Sequence, residues 1–217
     1  MSFGVSRITA RRALGELEKK GLVTRHRGKG TYVAMRSQAP EFPKFTGSLD
    51  ELFMVGRAAV VKEANVEQVP VPPRVRTALQ LEGSDTTVTR IQRVLLLNGK
   101  HHSYVQNFYP QSIGKKIKKE DVLRYPLSEL LEKRFAKPII EAHQVIEATV
   151  ADTELANRLE ISFGSPVLYV ARTLLGQKGT PIGFTQAYYR GDSYRLSVTL
   201  VRKGRNRSKS WRSVAYD

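Results

Sequence analysis

Arg7, Thr9, Arg11 and Arg12 crowd together near the start of the chain, and Arg27-Gly-Lys-Gly30 follows soon after. Their side-chain chemistry is that of nucleic-acid contact. Arg pairs in bidentate fashion with guanine O6 and N7, and a Thr hydroxyl bonds to a base edge or a phosphate. A basic, Gly-rich tip approaches a phosphate backbone closely because glycine has no side chain to hold it off. An ordinary solvated face uses the same residue types, so the elements that carry these side chains decide between the two readings.

Those elements are a helix and a tight hairpin. Ser6 is a good N-cap, because its hydroxyl accepts a bond from a free amide of the first turn. Ala10, Ala13, Leu14 and Leu17 recur at helical spacing as one apolar stripe, with Arg7, Thr9, Arg11 and Arg12 off it. Lys19-Lys20-Gly21 places cations at the negative end of the helix dipole and a stop after them. Residues 22–26 and 31–34 read as two short strands around the Arg27–Gly30 turn, whose glycines permit positive φ.

The ordered run Gly4-Val-Ser-Arg-Ile-Thr-Ala-Arg-Arg-Ala-Leu, then Leu17-Glu, Gly21-Leu-Val and Arg27-Gly-Lys-Gly-Thr-Tyr-Val33 resembles the recognition helix and wing of GntR-family winged helix-turn-helix repressors. The resemblance implies that Arg7, Thr9 and Arg11 face DNA from the helix, and Arg27 and Gly28 from the wing. Ser6, Arg12, Lys29 and Gly30 complete the candidate DNA-binding set. That family places two further helices ahead of this point, so a partial head is expected, from a mid-domain start or from truncation.

Charge placement agrees with a polyanionic partner. The chain has 217 residues and a net charge of +16. Residues 1–36 hold nine Lys/Arg and two Glu, and residues 202–217 hold six Lys/Arg and one Asp. The charge thus sits at the two ends, which points to nucleic acid ahead of a membrane surface. No apolar run approaches a membrane span or a signal core, which predicts a cytoplasmic protein without a membrane partner. The absence of Cys excludes disulfides, Cys-zinc sites and thiol catalysis.

Two prolines and no apolar period mark residues 37–46 as a linker, dividing a head at 1–36 from a domain at 47–202 and a basic tail at 203–217. Within the domain, a capping box at Ser48 and Glu51 predicts a short helix over 47–56. A strand is expected over 58–71, a helix from Pro72-Pro73 through Leu81 stopped by Gly83, and a hairpin of 86–97 and 101–109 turning at Asn98-Gly99. A lysine-rich segment at 113–120 reads mainly as solvated surface. Further expectations are a helix over 126–135, a strand over 139–151, and a helix from Asp152 to Leu159 ended near Gly164. Strands at 166–175, 181–190 and 194–201 follow. Hairpins dominate and no β-α-β phosphate loop occurs, so the class is α+β with an antiparallel sheet. The tail beyond Lys203 lacks a hydrophobic period and is expected to be disordered.

Val69-Pro-Val-Pro-Pro, Leu79-Gln-Leu-Glu-Gly, Val88-Thr-Arg-Ile-Gln-Arg93, Tyr125-Pro-Leu-Ser-Glu-Leu-Leu, Ile146-Glu-Ala-Thr-Val-Ala-Asp152, Gly164-Ser-Pro-Val-Leu, Arg172-Thr and Pro181…Tyr188-Tyr-Arg-Gly-Asp192 resemble, in this order, the UTRA effector-binding domain of HutC-like GntR regulators. The resemblance implies a chorismate-lyase-like sheet, a homodimer, a small anionic effector and a double-stranded DNA operator. It points to Arg93 as the anion-binding arginine, with Arg172, Tyr189 and Arg90 as further candidates. Gly183 stands where many members have an acidic residue, and Val105-Gln106 where many have Glu-Arg, which sets this pocket apart from the common sugar-phosphate kind.

No catalytic set, metal site or cofactor is expected. The four histidines lack metal spacing, and adjacent His101 and His102 point to opposite faces of a strand. Glu141, Glu147 and Asp152 have no convergent partner, and Gly164-Ser-Pro is followed by a strand where a nucleophile elbow needs a helix. The expectation is a regulator, a repressor by resemblance, whose effector shifts operator affinity. The alternatives are an effector-binding or dimerising fragment without DNA binding, and a small lyase-like enzyme using the same sheet pocket.

Overall fold

The computed structural model describes residues 4–19, 23–26, 30–33, 44–45, 58–196, 198–203 and 210–214. The chain divides into two compact units, 1–41 and 42–217.

In the first unit, helix α1 (Arg7–Lys19) starts behind Ser6, whose Oγ accepts the Thr9 amide at 3.2 Å. Strands β1 (Val23–His26) and β2 (Gly30–Val33) pair antiparallel, Val23 opposite Val33 and His26 opposite Gly30. Gly30 takes a φ of +110°, a region open to glycine. No residue of α1 is buried.

The second unit is built on one antiparallel sheet. A short strand β3 (Lys44–Phe45) precedes the long β4 (Val60–Pro70). The helix predicted over 47–56 lies outside the described residues. Helix α2 (Pro73–Leu79) follows, with Pro at the first helical position, where a missing amide costs nothing. It stops earlier than expected. Gln80, not Gly83, takes the left-handed conformation (φ 50°), and the Leu81 amide bonds back to the Arg76 carbonyl at 3.0 Å.

β5 (Thr87–Leu97) and β6 (Lys100–Tyr109) form the expected hairpin, and Asn98 and Gly99 both have positive φ. Short helices α3 (Gln111–Gly114) and α4 (Lys119–Arg124) come next, and Lys115, Lys116, Lys118 and Lys119 are all exposed. The helix expected over 126–135 begins as α5 (Leu127–Glu129) and widens into a π-helical turn, Leu130–Arg134, in which consecutive Leu130 and Leu131 are both buried.

β7 (Glu141–Val150) leads to α6 (Thr153–Leu159). Asp152 caps it by accepting the Leu155 amide at 2.8 Å, and Glu160, again left-handed, ends it. β8 (Pro166–Leu175) and β9 (Pro181–Arg190) complete the sheet, whose order is β4-β5-β6-β9-β8-β7.

The strand expected at 194–201 does not join this sheet. It splits into β10 (Arg195–Leu196), parallel to β3, and β11 (Thr199–Lys203). The tail departs from expectation too. Ser210–Val214 forms β12, antiparallel to β11 with Arg202 opposite Trp211. Backbone pairing with a neighbouring strand gives order that the tail's own composition does not signal.

Period-two alternation gives the sheet two apolar faces. One packs Val88, Val94, Tyr104 and Phe108 under α2 and α6 through Val75, Leu79, Leu155 and Leu159. The other packs Ile91, Tyr109, Leu174 and Ile182 under the 111–135 segment through Ile113, Val122, Leu127, Leu130 and Leu131. Among the described residues, no helix is long and apolar enough to cross a membrane.

Candidate functional site

On α1 the side chains singled out for DNA contact lie on an open surface. Arg7, Thr9, Arg11 and Arg12 are exposed, and Ile8 is 80% exposed. Among the described residues none of these three arginines has an acidic partner within ion-pair distance, whereas Lys19 pairs with Glu16 at 2.9 Å. Thr9 also shares a side-chain bond with Ser6 (Oγ1 to Oγ, 2.9 Å), so its hydroxyl belongs to the cap. Gly30 opens β2. Arg27, Gly28 and Lys29 lie outside the described residues.

The second unit holds a cavity of about 100 Å³ between the sheet and α5. Its floor is set by strand register. Asn107, Thr185, Arg172 and Gln144 lie directly opposite one another across β6, β9, β8 and β7. The next row carries Arg93, Val105 and Ala187, and the one beyond it Leu95, Ser103 and Tyr189. Leu127, Ser128 and Leu131 of α5 and its π turn form the roof.

Hydrogen bonds hold the polar groups in place. Arg93 Nη2 donates to Asn107 Oδ1 at 3.1 Å, and Asn107 Nδ2 donates to Thr185 Oγ1 at 2.8 Å. Arg172 gives both Nε (2.8 Å) and Nη2 (2.5 Å) to Gln144 Oε1. Each guanidinium is thus oriented by a neutral amide and keeps its charge uncancelled. Among the described residues no carboxylate lines the cavity.

Burial disfavours the charged form of several groups here. It pulls Arg93 below its ordinary value, an effect that nearby Tyr109 and Tyr189 partly oppose. It pushes the Tyr109 phenol up to about 12 and raises Tyr189, the latter against the pull of Arg172 and Arg93. Burial, with Arg190 adding to it, lowers His102 to about 4.

Of the residues expected to bind an effector, the cavity brings together Arg93, Arg172 and Tyr189. Arg90 is the correction. It lies three residues from Arg93 on β5, hence on the opposite face, and its Nη2 donates to Glu67 at 2.8 Å. The cavity also takes in His102, Ser103, Asn107, Tyr109 and Thr185, which no sequence motif singles out for it. Asn107 and Tyr109 follow from alternation, since both share the parity of Val105, the residue opposite Arg93.

His102 and Ser103 follow from a β-bulge. Leu95 faces Ser103 while Leu96 faces His101, so His102 is the extra residue and both it and Ser103 reach the cavity. His101 lies off the cavity and bonds to Glu160 at 3.1 Å. Gly183 also has a local reason. A Cβ there would come within 2.7 Å of Tyr109 Cε1, so this tyrosine ring occupies the space a larger side chain would need.

A cavity lined by cations and hydroxyls in an antiparallel sheet, in one chain with a basic helix and hairpin, defines a small-molecule receptor carrying a nucleic-acid-binding head. The sequence matches the UTRA domain over residues 55–195 and the gntR family of bacterial regulatory proteins over residues 1–33. It is 28% identical over 192 residues to the HTH-type transcriptional repressor NagR of Bacillus subtilis, covering 88% of this chain and 78% of that protein. It is 28% identical over 204 residues to an HTH-type transcriptional regulator of Mycobacterium tuberculosis, covering 92% and 74%. The fold superposes on the crystal structure of the possible transcriptional regulator YydK from Bacillus subtilis with a TM-score of 0.62 at 22% identity, over 91% of this chain and 84% of that one. The chain belongs to the UTRA family of GntR-type transcriptional regulators, and it is a DNA-binding regulator controlled by a small molecule.

Proposed function

We propose that this chain is a cytoplasmic, homodimeric repressor without catalytic activity, and that a small anionic metabolite bound in the sheet cavity sets its operator affinity. The domain boundaries follow the same reading: a DNA-binding head at 1–36, a linker at 37–46 and an effector domain at 47–202. Arg93, Arg172 and Tyr189 bind the anion, Arg90 does not, and Arg7, Arg11 and Arg12 meet DNA with the wing residues.

The observation that carries this reading is the lining of the cavity. Two amide-oriented guanidiniums share it with the hydroxyls of Ser103, Ser128, Thr185 and Tyr189, and no carboxylate among the described residues competes for them. Thr185 Oγ1 accepts from Asn107, which leaves its own proton to donate inward. Such a set favours an oxygen-rich anion over a cation or a neutral apolar ligand.

A thermal-shift screen of small carboxylates, sulfate and phosphate esters tests it. A ligand at a hundredfold excess over its Kd should stabilise the chain by about 2.7 kcal/mol, and Arg172→Gln should abolish that gain. Stabilisation that survives in Arg172→Gln, or turnover of an aromatic acid with no effect on DNA binding, refutes the proposal.

A further inference from the structure

Three buried polar atoms of this cavity have no hydrogen-bond partner among the described residues: Arg93 Nε, His102 Nε2 and Ser103 Oγ. Native interiors leave few such atoms unpaired, so three on one cavity mark where a ligand's atoms complete the bonding. Arg93 Nε and Ser103 Oγ are ready donors. His102 Nε2 donates or accepts according to its tautomer and charge.

The surroundings of His102 are one-sided. The ring of Tyr189 on β9 meets it edge to face, with centroids 5.4 Å apart. Arg190, also on β9, acts on it through its charge, and Asp192 pairs with that guanidinium at 2.8 Å. Arg93 of β5 and Arg172 of β8 share the cavity with it, as does Ser128 of α5, and among the described residues no carboxylate does. Tyr109 and Tyr189 are held as neutral phenols. The ring therefore meets positive charge and low polarity together, and both keep it neutral. An oxyanion arriving beside it opposes the lesser cause, the nearby positive charge, and favours the protonated ring over the neutral one that burial prefers.

Resting on the reading of this cavity as an anion site, we propose that the His102–Ser103 bulge is a proton-coupled sensor: the bound oxyanion accepts hydrogen bonds from Ser103 Oγ and from a His102 ring that takes up one proton from solvent as the anion enters. No covalent bond changes. The effector is then bound as an anion plus a proton, and its affinity rises as the medium acidifies.

Calorimetric titration of the full chain with sulfate and with benzoate, neither of which titrates in the range used, tests this in buffers of different ionisation heat. Uptake of most of one proton is expected at about pH 5.5, with affinity roughly threefold higher there than at about pH 6.5. His102→Gln, which keeps a donor, should bind with no proton uptake and no pH slope. In the unaltered protein, the histidine ring resonance that His102→Gln removes should titrate near 4 without sulfate and above 6 with it, about a hundredfold change in proton affinity.

Failure of both anions to bind at either pH overturns the anion reading itself. Binding with no proton uptake, or a His102 resonance whose titration sulfate leaves in place, overturns the sensor while the anion site stands.

Discussion

The two compact units of this chain hold their functional side chains in opposite ways. In the head, α1 has no buried residue, and the arginines assigned to DNA stand on a capped helix in the open. In the effector unit, Arg93 and Arg172 sit in a sheet whose register, amide partners and π-turn roof hold each of them. DNA phosphates and base edges come to a surface, so reach and charge suffice there. A small ligand has to be surrounded, so its receptor needs a core.

Substitutions in the two units should therefore differ most in stability. Ile91, fully buried beneath the 111–135 segment, should cost about 2–5 kcal/mol when replaced by Ala, read as a lowered midpoint in urea. Leu17→Ala on α1, where Leu17 is 37% exposed, should stay within about 0.5 kcal/mol. Equal losses at the two positions would erase the contrast.

Acid sharpens the same contrast. His102 titrates near 4 in the folded state against an ordinary 6.5, so below that ordinary value the unfolded chain binds a proton that the folded chain refuses. The stability from a neutral ring is whole above about pH 6.5 and is lost as pH falls toward about 4, on the order of 3 kcal/mol in all. The acid limb of a pH–stability curve should flatten in His102→Gln. An unchanged limb would place the acid sensitivity elsewhere.

In the head the effect moves from stability to recognition. Arg7→Ala should cost about 1–3 kcal/mol of DNA binding at one base position, measured by competition between single-base variants of a bound site. Uniform loss on every sequence would reduce Arg7 to a phosphate contact. The smallest change belongs to Arg90. Its pairing with Glu67 is partly exposed, so Arg90→Ala should cost about 0–1 kcal/mol and leave anion affinity unaltered by calorimetry.

Much of this arrangement is legible in the residues. Asn98-Gly99 specifies the hairpin that carries Arg93, Asp152 announces α6, and Ser6 announces α1. Arg90 and Arg93 are three apart on a strand, and period two by itself separates their faces. The rest depends on contacts distant in sequence. No local signal marks the bulge that turns both His102 and Ser103 inward. The π turn that buries Leu130 beside Leu131 is a response to packing on the sheet. The left-handed end at Gln80 sits where helix propensity would run on toward the next glycine. Gly183 has its meaning only once Tyr109 lies over it.

The most direct test of the whole account joins the two units. A duplex selected from random-sequence DNA for tight binding to this chain would be titrated with protein, with and without the strongest-binding anion of the thermal screen. In the unaltered chain the anion should change DNA affinity by roughly 5- to 150-fold, and in Arg93→Gln it should leave that affinity where it was. A change of the same size in Arg93→Gln, or none in the unaltered chain, would contradict control of DNA binding from this cavity.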